Sequence, residues 1–194
     1  RMNWYTQLQL GVALLCSNRP REAGERLERS YMLCPSPWAL YVLAHWKRLL
    51  GDGGAAAALA AKASRMRLQD ASLAKEAMEL LVAAGRNEEA LELSDEFSEE
   101  IRSIGRVKIY IALAHCRLGH IEQAEAVLYE GGGIVLPDIR EGERTITDLY
   151  LEIAGQKAAR GGLPFDPDTA EVPPQFDYRQ CDAARRRPAR KRAR

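Results

Sequence analysis

Chemistry needs titratable or nucleophilic side chains at spacings that bring them together, and candidates here are few. The three histidines, His45, His115 and His120, show no metalloprotease-like spacing. His115 and His120 would stand about 140° apart round a continuous helix, and a turn is expected between them. All three read as structural or surface histidines. The glycine runs Gly51-Asp52-Gly53-Gly54 and Gly131-Gly132-Gly133 lack the Lys-Ser/Thr of a phosphate loop and follow no strand pattern, so they read as turn glycines. The carboxylate pairs Glu88-Glu89 and Glu99-Glu100 fall on solvated helical stretches beside basic residues. Cys16, Cys34, Cys116 and Cys181 are irregularly spaced, without the close pairing of a zinc site or the density of a disulfide scaffold. They read as reduced, buried thiols of a cytoplasmic protein, three of them inside helical patterns as small apolar side chains. No catalytic residue, metal or cofactor is expected, and the chain does not read as an enzyme.

What remains is a scaffold. At 194 residues and 46% apolar composition the chain can bury a core. Ala, Leu, Glu and Arg dominate, all good helix formers, and strand signals are sparse. The longest weakly polar run, Ala55 to Ala61, is much too short to span a membrane. No secretory signal pattern appears, and a start on Arg1 directly in a helical pattern reads as a piece of a longer protein. The net charge of +1 is unevenly spread: residues 185–194 carry seven basic residues and no acid, which leaves −6 on the rest.

The register comes from turns of the form Gly-x-x-x-x-Ala. They run Gly51 to Ala56, Gly85 to Ala90 and Gly119 to Ala124, with an Asn18 to Ala23 variant before them. The alanines recur at intervals of 33, 34 and 34 residues. Gly or Asn just past a helix can take positive φ and end it. A small Ala early in the next helix lets the two helices of a hairpin approach closely. Apolar positions then fill each seam: Leu10, Leu14 and Leu15 against Leu27; Leu40, Leu43 and Leu59; Leu80, Leu81 and Leu91; Ile111, Leu118 and Leu128. Such a hairpin cannot bury its own stripe, so neighbours must stack.

The period and the Gly and Ala positions resemble the tetratricopeptide repeat over residues 3–136, best in the first unit at Leu10-Gly11, Leu14, Ala23, Leu27, Ser30 and Pro35. The resemblance implies an all-α fold: four antiparallel hairpins in a right-handed superhelix. Gly131 to Gly142, with four Gly and one Pro, reads as a connection. Thr145-x-x-Asp148 resembles a capping arrangement, and Ile146, Leu149, Tyr150, Ile153 and Ala154 continue at helical spacing to about Arg160. Residues 137–160 are therefore expected to form a connecting segment and a helix that covers the last hairpin. Residues 161–184 should be an extended tail packed on the solenoid, and residues 185–194 a disordered basic end.

A second resemblance covers the C-terminal part. Arg140, Glu141, Gly142 and Glu143, then Thr147, Asp148, Leu149 and Tyr150, then Phe176, Asp177, Tyr178 and Arg179 resemble the end of a bacterial family of large proteins. Those proteins join a domain of unknown function and a galactose-mutarotase-like region to a tetratricopeptide region. The resemblance implies a parent that handles carbohydrate through domains outside this chain, with this chain as its accessory module. The chain continues past Arg179, where that family is expected to stop.

In tetratricopeptide stacks the first helix of each hairpin lines the concave groove. The register places there Tyr5, Leu8 and Gln9 from the first unit, and Trp38, Tyr41, His45 and Arg48 from the second. Lys75 and Glu79 come from the third, and Tyr110 and Arg117 from the fourth. Aromatic residues mixed with Arg suit peptide recognition. Arg140 with Glu141, Glu143 and Asp148 reads as a lock on the terminal helix, because the guanidinium can satisfy two acceptors. The expected partner is a protein, a peptide or another domain of the parent chain. No membrane is expected, nucleic acid is the weaker reading because the basic end has no interleaved aromatic residue, and a homodimer stays open.

Overall fold

The computed structural model describes residues 3–129, 133–137 and 144–178, and among these every regular element is a helix. Two compact units divide the chain, residues 1–138 and 139–194. The first holds α1 (Trp4–Cys16), α2 (Pro20–Leu33), α3 (Pro37–Leu49), α4 (Gly53–Arg65), α5 (Ala71–Ala83) and α6 (Asn87–Glu96). The single-turn α7 (Glu99–Arg102), then α8 (Gly105–Arg117) and α9 (Ile121–Tyr129), complete it. Packing is consecutive: α1 on α2, α2 on α3, α3 on α4 and α4 on α5, with α8 against α5, α6 and α9.

Local chemistry sets the helix boundaries. Asn3, Ser36, Asp52 and Asp70 each accept a backbone N–H of the following first turn, satisfying donors that a helix start leaves unpaired. Pro20 and Pro37 occupy first helical positions, where a missing N–H costs nothing. At the other end α1, α3, α5 and α8 stop in one way. Asn18, Gly51, Gly85 and Gly119 have φ of 56°, 80°, 73° and 80°. The N–H that follows each reaches back to a carbonyl of the last turn: Arg19 to Leu14, Asp52 to Lys47, Arg86 to Leu81 and His120 to His115, at 2.9–3.0 Å. This is the paired C-terminal bonding that a left-handed residue permits. The same geometry recurs four times at the sequence period.

Ala23, Ala56, Ala90 and Ala124 are fully buried. Around them the core forms in stretches, with Leu8, Leu27, Leu43 and Trp46 in one and Leu40, Ala63 and Leu73 in the next. Two close approaches tighten the first: Gly24 lies under the Trp46 ring and Gly11 against Leu27. The Trp46 indole N–H donates to the Pro20 carbonyl at 2.7 Å.

Four expectations change. In α1 the buried positions are Gln7, Leu8 and Gly11, while Leu14 and Leu15 are only half-buried. Ala57, beside the turn, reads as exposed from sequence but is fully buried, because α4 packs on both α3 and α5. Cys16 is exposed and Cys34 half-buried at the end of α2, while Cys116 is buried; Cys181 lies outside the described residues. The third hairpin is also irregular. Its second helix, α6, stops at Glu96, and Phe97 and Ile101 bury their side chains around the extra turn α7.

The second unit contains α10 (Ile146–Arg160) and a 3-10 turn at Pro174–Phe176. Thr145 and Asp148 form the expected reciprocal cap. The Thr147 hydroxyl donates to the Phe176 carbonyl at 2.6 Å and accepts from the Tyr178 N–H at 2.8 Å. Tyr150 and Phe176 stack with centroids 5.7 Å apart. These contacts fold residues 174–178 back on α10, and Phe165 packs on Gly155. Arg140, Glu141 and Glu143 lie outside the described residues, as does the basic end. Beside Asp148, Arg144 pairs with Glu152 at 3.3 Å.

Candidate functional site

The residues singled out from sequence lie on α1, α3, α5 and α8, and their environments differ. Tyr5 on α1 is 54% exposed and stands edge-on to Trp4. Leu8 is buried and Gln9 exposed. On α8, Tyr110 is buried in the core at 6% exposure. Arg117 donates to the Val82 carbonyl at 2.8 Å, tying α8 to the end of α5.

The residues that converge are on α3 and α5. Trp38, Tyr41 and His45 occupy successive turns of one α3 face and meet edge to face, with centroids 6.4 Å and 4.6 Å apart. Arg48, one turn on, lies 3.2 Å from His45 Nδ1. On the other side of the ring, His45 Nε2 is 3.3 Å from a Glu76 oxygen on α5. Lys75 and Glu79 flank Glu76 on the same helix and are half-buried. Tyr41, His45, Glu76 and Glu79 thus form one half-buried cluster, with Arg48 exposed at one end and Trp38, 41% exposed, at the other.

Hydrogen bonding fixes the state of the imidazole. A guanidinium can only donate, so Nδ1 must accept, and the ring proton sits on Nε2 facing the carboxylate. Burial holds His45 below the usual histidine range, and Arg48 pushes the same way. Burial and then Glu79 raise the Glu76 pKa, with Arg48 opposing. Burial raises Tyr41 as well, helped by Glu76 and Glu79.

Glu76 is the member that sequence reading missed. It precedes Ala77, whose burial marks the packed side of α5, and only the side-by-side placement of α3 and α5 reveals that it meets His45.

Elsewhere, His115 and His120 bring their rings within 5.8 Å. Burial lowers the His115 pKa, followed by His120, while Asp95 opposes. Among the described residues no group of three or more His, Cys, Asp or Glu is arranged to hold a metal ion. Nor is any described helix long and apolar enough to cross a membrane. No protein-family model matches the chain, and no curated protein matches it, so neither resemblance drawn from sequence gains a relative.

Proposed function

We propose that this chain is a non-catalytic interaction scaffold of tetratricopeptide-like hairpins, which offers the α3–α5 cluster to a protein or peptide partner. The observation that carries the reading is the fourfold recurrence of one helix end at Asn18, Gly51, Gly85 and Gly119. Equal hairpins at a fixed interval place their first helices side by side. On those helices Trp38 and Tyr41 combine aromatic area with the charged groups Arg48 and Glu79, the composition of energetically dominant contact residues.

The experiment is site-specific photocrosslinking. A photoreactive phenylalanine analogue at Tyr5, Trp38 or Tyr41 should capture one defined partner, and the same probe at the exposed Glu92 of α6 should not. With that partner purified, Trp38→Ala is expected to weaken binding by about tenfold or more. Equal capture from both faces, or unchanged affinity, would remove the α3–α5 cluster from the reading.

A further inference from the structure

The cluster holds one arrangement that a plain contact surface does not need. His45 is engaged at both ring nitrogens by groups of opposite charge: Arg48 at Nδ1, 3.2 Å away, and Glu76 at Nε2, 3.3 Å away. Only a neutral ring fits between them, because the Arg48 contact requires the Nδ1 lone pair. The ring also links α3 to α5, since Arg48 lies on its own helix and Glu76 on the other.

We propose that His45 is a proton-operated latch between the second and third hairpins, in which protonation of Nδ1 expels Arg48 and converts the Nε2 contact into a charged pair with Glu76. The proton comes from solvent and occupies the lone pair that Arg48 used. Two donors then face each other, and the guanidinium must turn away. The ring gains one positive charge, and its link to Glu76 becomes a charge-assisted hydrogen bond, shorter and stronger than the neutral one. One proton therefore exchanges the Arg48 contact for a charged His45–Glu76 pair, against the cost of burying the charge, and releases an arginine on the face that carries Trp38 and Tyr41.

The surroundings support a single-site event. On α3 the neighbours of the ring are Tyr41, edge-on at 4.6 Å, and Arg48. On α5 they are Glu76 and, beyond it, Glu79, which acts on both Tyr41 and Glu76. The helices packed on the other sides of α3, namely α1, α2 and α4, place no charged group in hydrogen-bond or ion-pair contact with the ring among the described residues. Burial and Arg48 resist the proton, which sets the switching point below the ordinary histidine range. On the scaffold reading, protonation releases the Arg48 nitrogen held by His45 for a partner carboxylate. The latch itself is a property of the free protein and is tested there.

Long-range ¹H–¹⁵N NMR of the imidazoles, with His45 assigned through His45→Gln, reads the tautomer directly. The expected result at about pH 8 is a proton on Nε2 and a bare Nδ1, with a titration midpoint below about 6.5. Arg48→Met, at an exposed position, should raise that midpoint by about 0.5 pH unit or more, and Arg48→Lys should keep it low. Glu76→Gln should lower it further without changing the tautomer. A proton on Nδ1 at high pH, or a midpoint that Arg48→Met leaves unmoved, overturns the latch. Neither result depends on any partner, so the photocrosslinking test of the scaffold stands separately.

Discussion

Alanine at positions 23, 56, 90 and 124 sets how closely paired helices can lie, since each is buried without free space around it. Enlarging Ala90 or Ala124 to Leu is expected to cost ~1–3 kcal/mol by overpacking, measured by chemical denaturation. Ala57→Leu should cost as much, because α4 is enclosed on two sides. A near-neutral Ala57 variant would show that the α4–α5 seam is loose. The four period-marking alanines were legible because their spacing repeats. Ala57 was not, because an alanine-rich helix carries no polar stripe to mark a solvent face. At the same scale, three titrating groups set a pH dependence. His45 and His115 have lowered folded pKa values. The unfolded chain therefore takes up their protons first, and stability falls as pH drops below about 6.5 toward those lowered values. Glu76 acts in the opposite sense. Its folded pKa is raised, so its ionised form costs stability at neutral pH, and that cost is relieved as pH falls toward about 4.5. Unfolding free energy should decline from pH 7 to about 5.5. His45→Gln should flatten the decline, and Glu76→Gln should be neutral or stabilising at pH 7; urea titrations at each pH give the comparison.

At the scale of elements, the hairpin ends were the most legible part of the fold, because a residue that takes positive φ is written openly in the sequence as Gly or Asn. Gly85, with φ of 73°, should lose about 1–2 kcal/mol on change to Ala, the cost of a side chain in the left-handed region. Gly54 is a useful contrast, since a methyl there meets nothing within 4 Å and its φ is not positive. Gly54→Ala should stabilise by about 0.4–1 kcal/mol through the unfolded chain. Thermal melts of the pair would separate conformational need from mere proximity to a turn, and equal effects would contradict the assigned helix ends. Other features were hidden for identifiable reasons. The early stop of α6 at Glu96 depends on Phe97 and Ile101 turning inward, and Ser98 capping a single-turn helix is a faint signal. Period alone cannot reveal such an interruption. The candidate site divides in the same way: Tyr41, His45 and Arg48 follow from register on one helix, whereas Glu76 joins them only through the packing of two.

For the first unit as a whole, the pattern of contacts sets the expectation for stability. Most helices pack on their neighbours in sequence, and polar links join α2 to α4 and α4 to α6 at nearly the repeat distance. Lys62 of α4 donates to the Tyr31 hydroxyl of α2 at 2.9 Å, and Arg65 of α4 pairs with Glu96 of α6 at 2.9 Å. On the proposed stacked-hairpin reading, stability should accumulate hairpin by hairpin. Fragments covering residues 3–68, 3–102 and 3–137 should all show helical circular dichroism, and melting temperature should rise with each added hairpin. The largest step should come between the first two, because α5 packs on α4, whose Ala56, Ala57, Ala60, Ala61 and Ala63 are buried. Arg65→Ala removes the link between α4 and α6 at a 38% exposed side chain, where an ion pair contributes at most about 1 kcal/mol. In the 3–102 fragment it should lower the melting temperature by a few degrees, and in the 3–68 fragment, which lacks Glu96, it should have no effect. If the 3–68 and 3–102 fragments are both unfolded and only the 3–137 fragment folds, the unit depends on one shared core, and nearest-neighbour stacking is the wrong account of it.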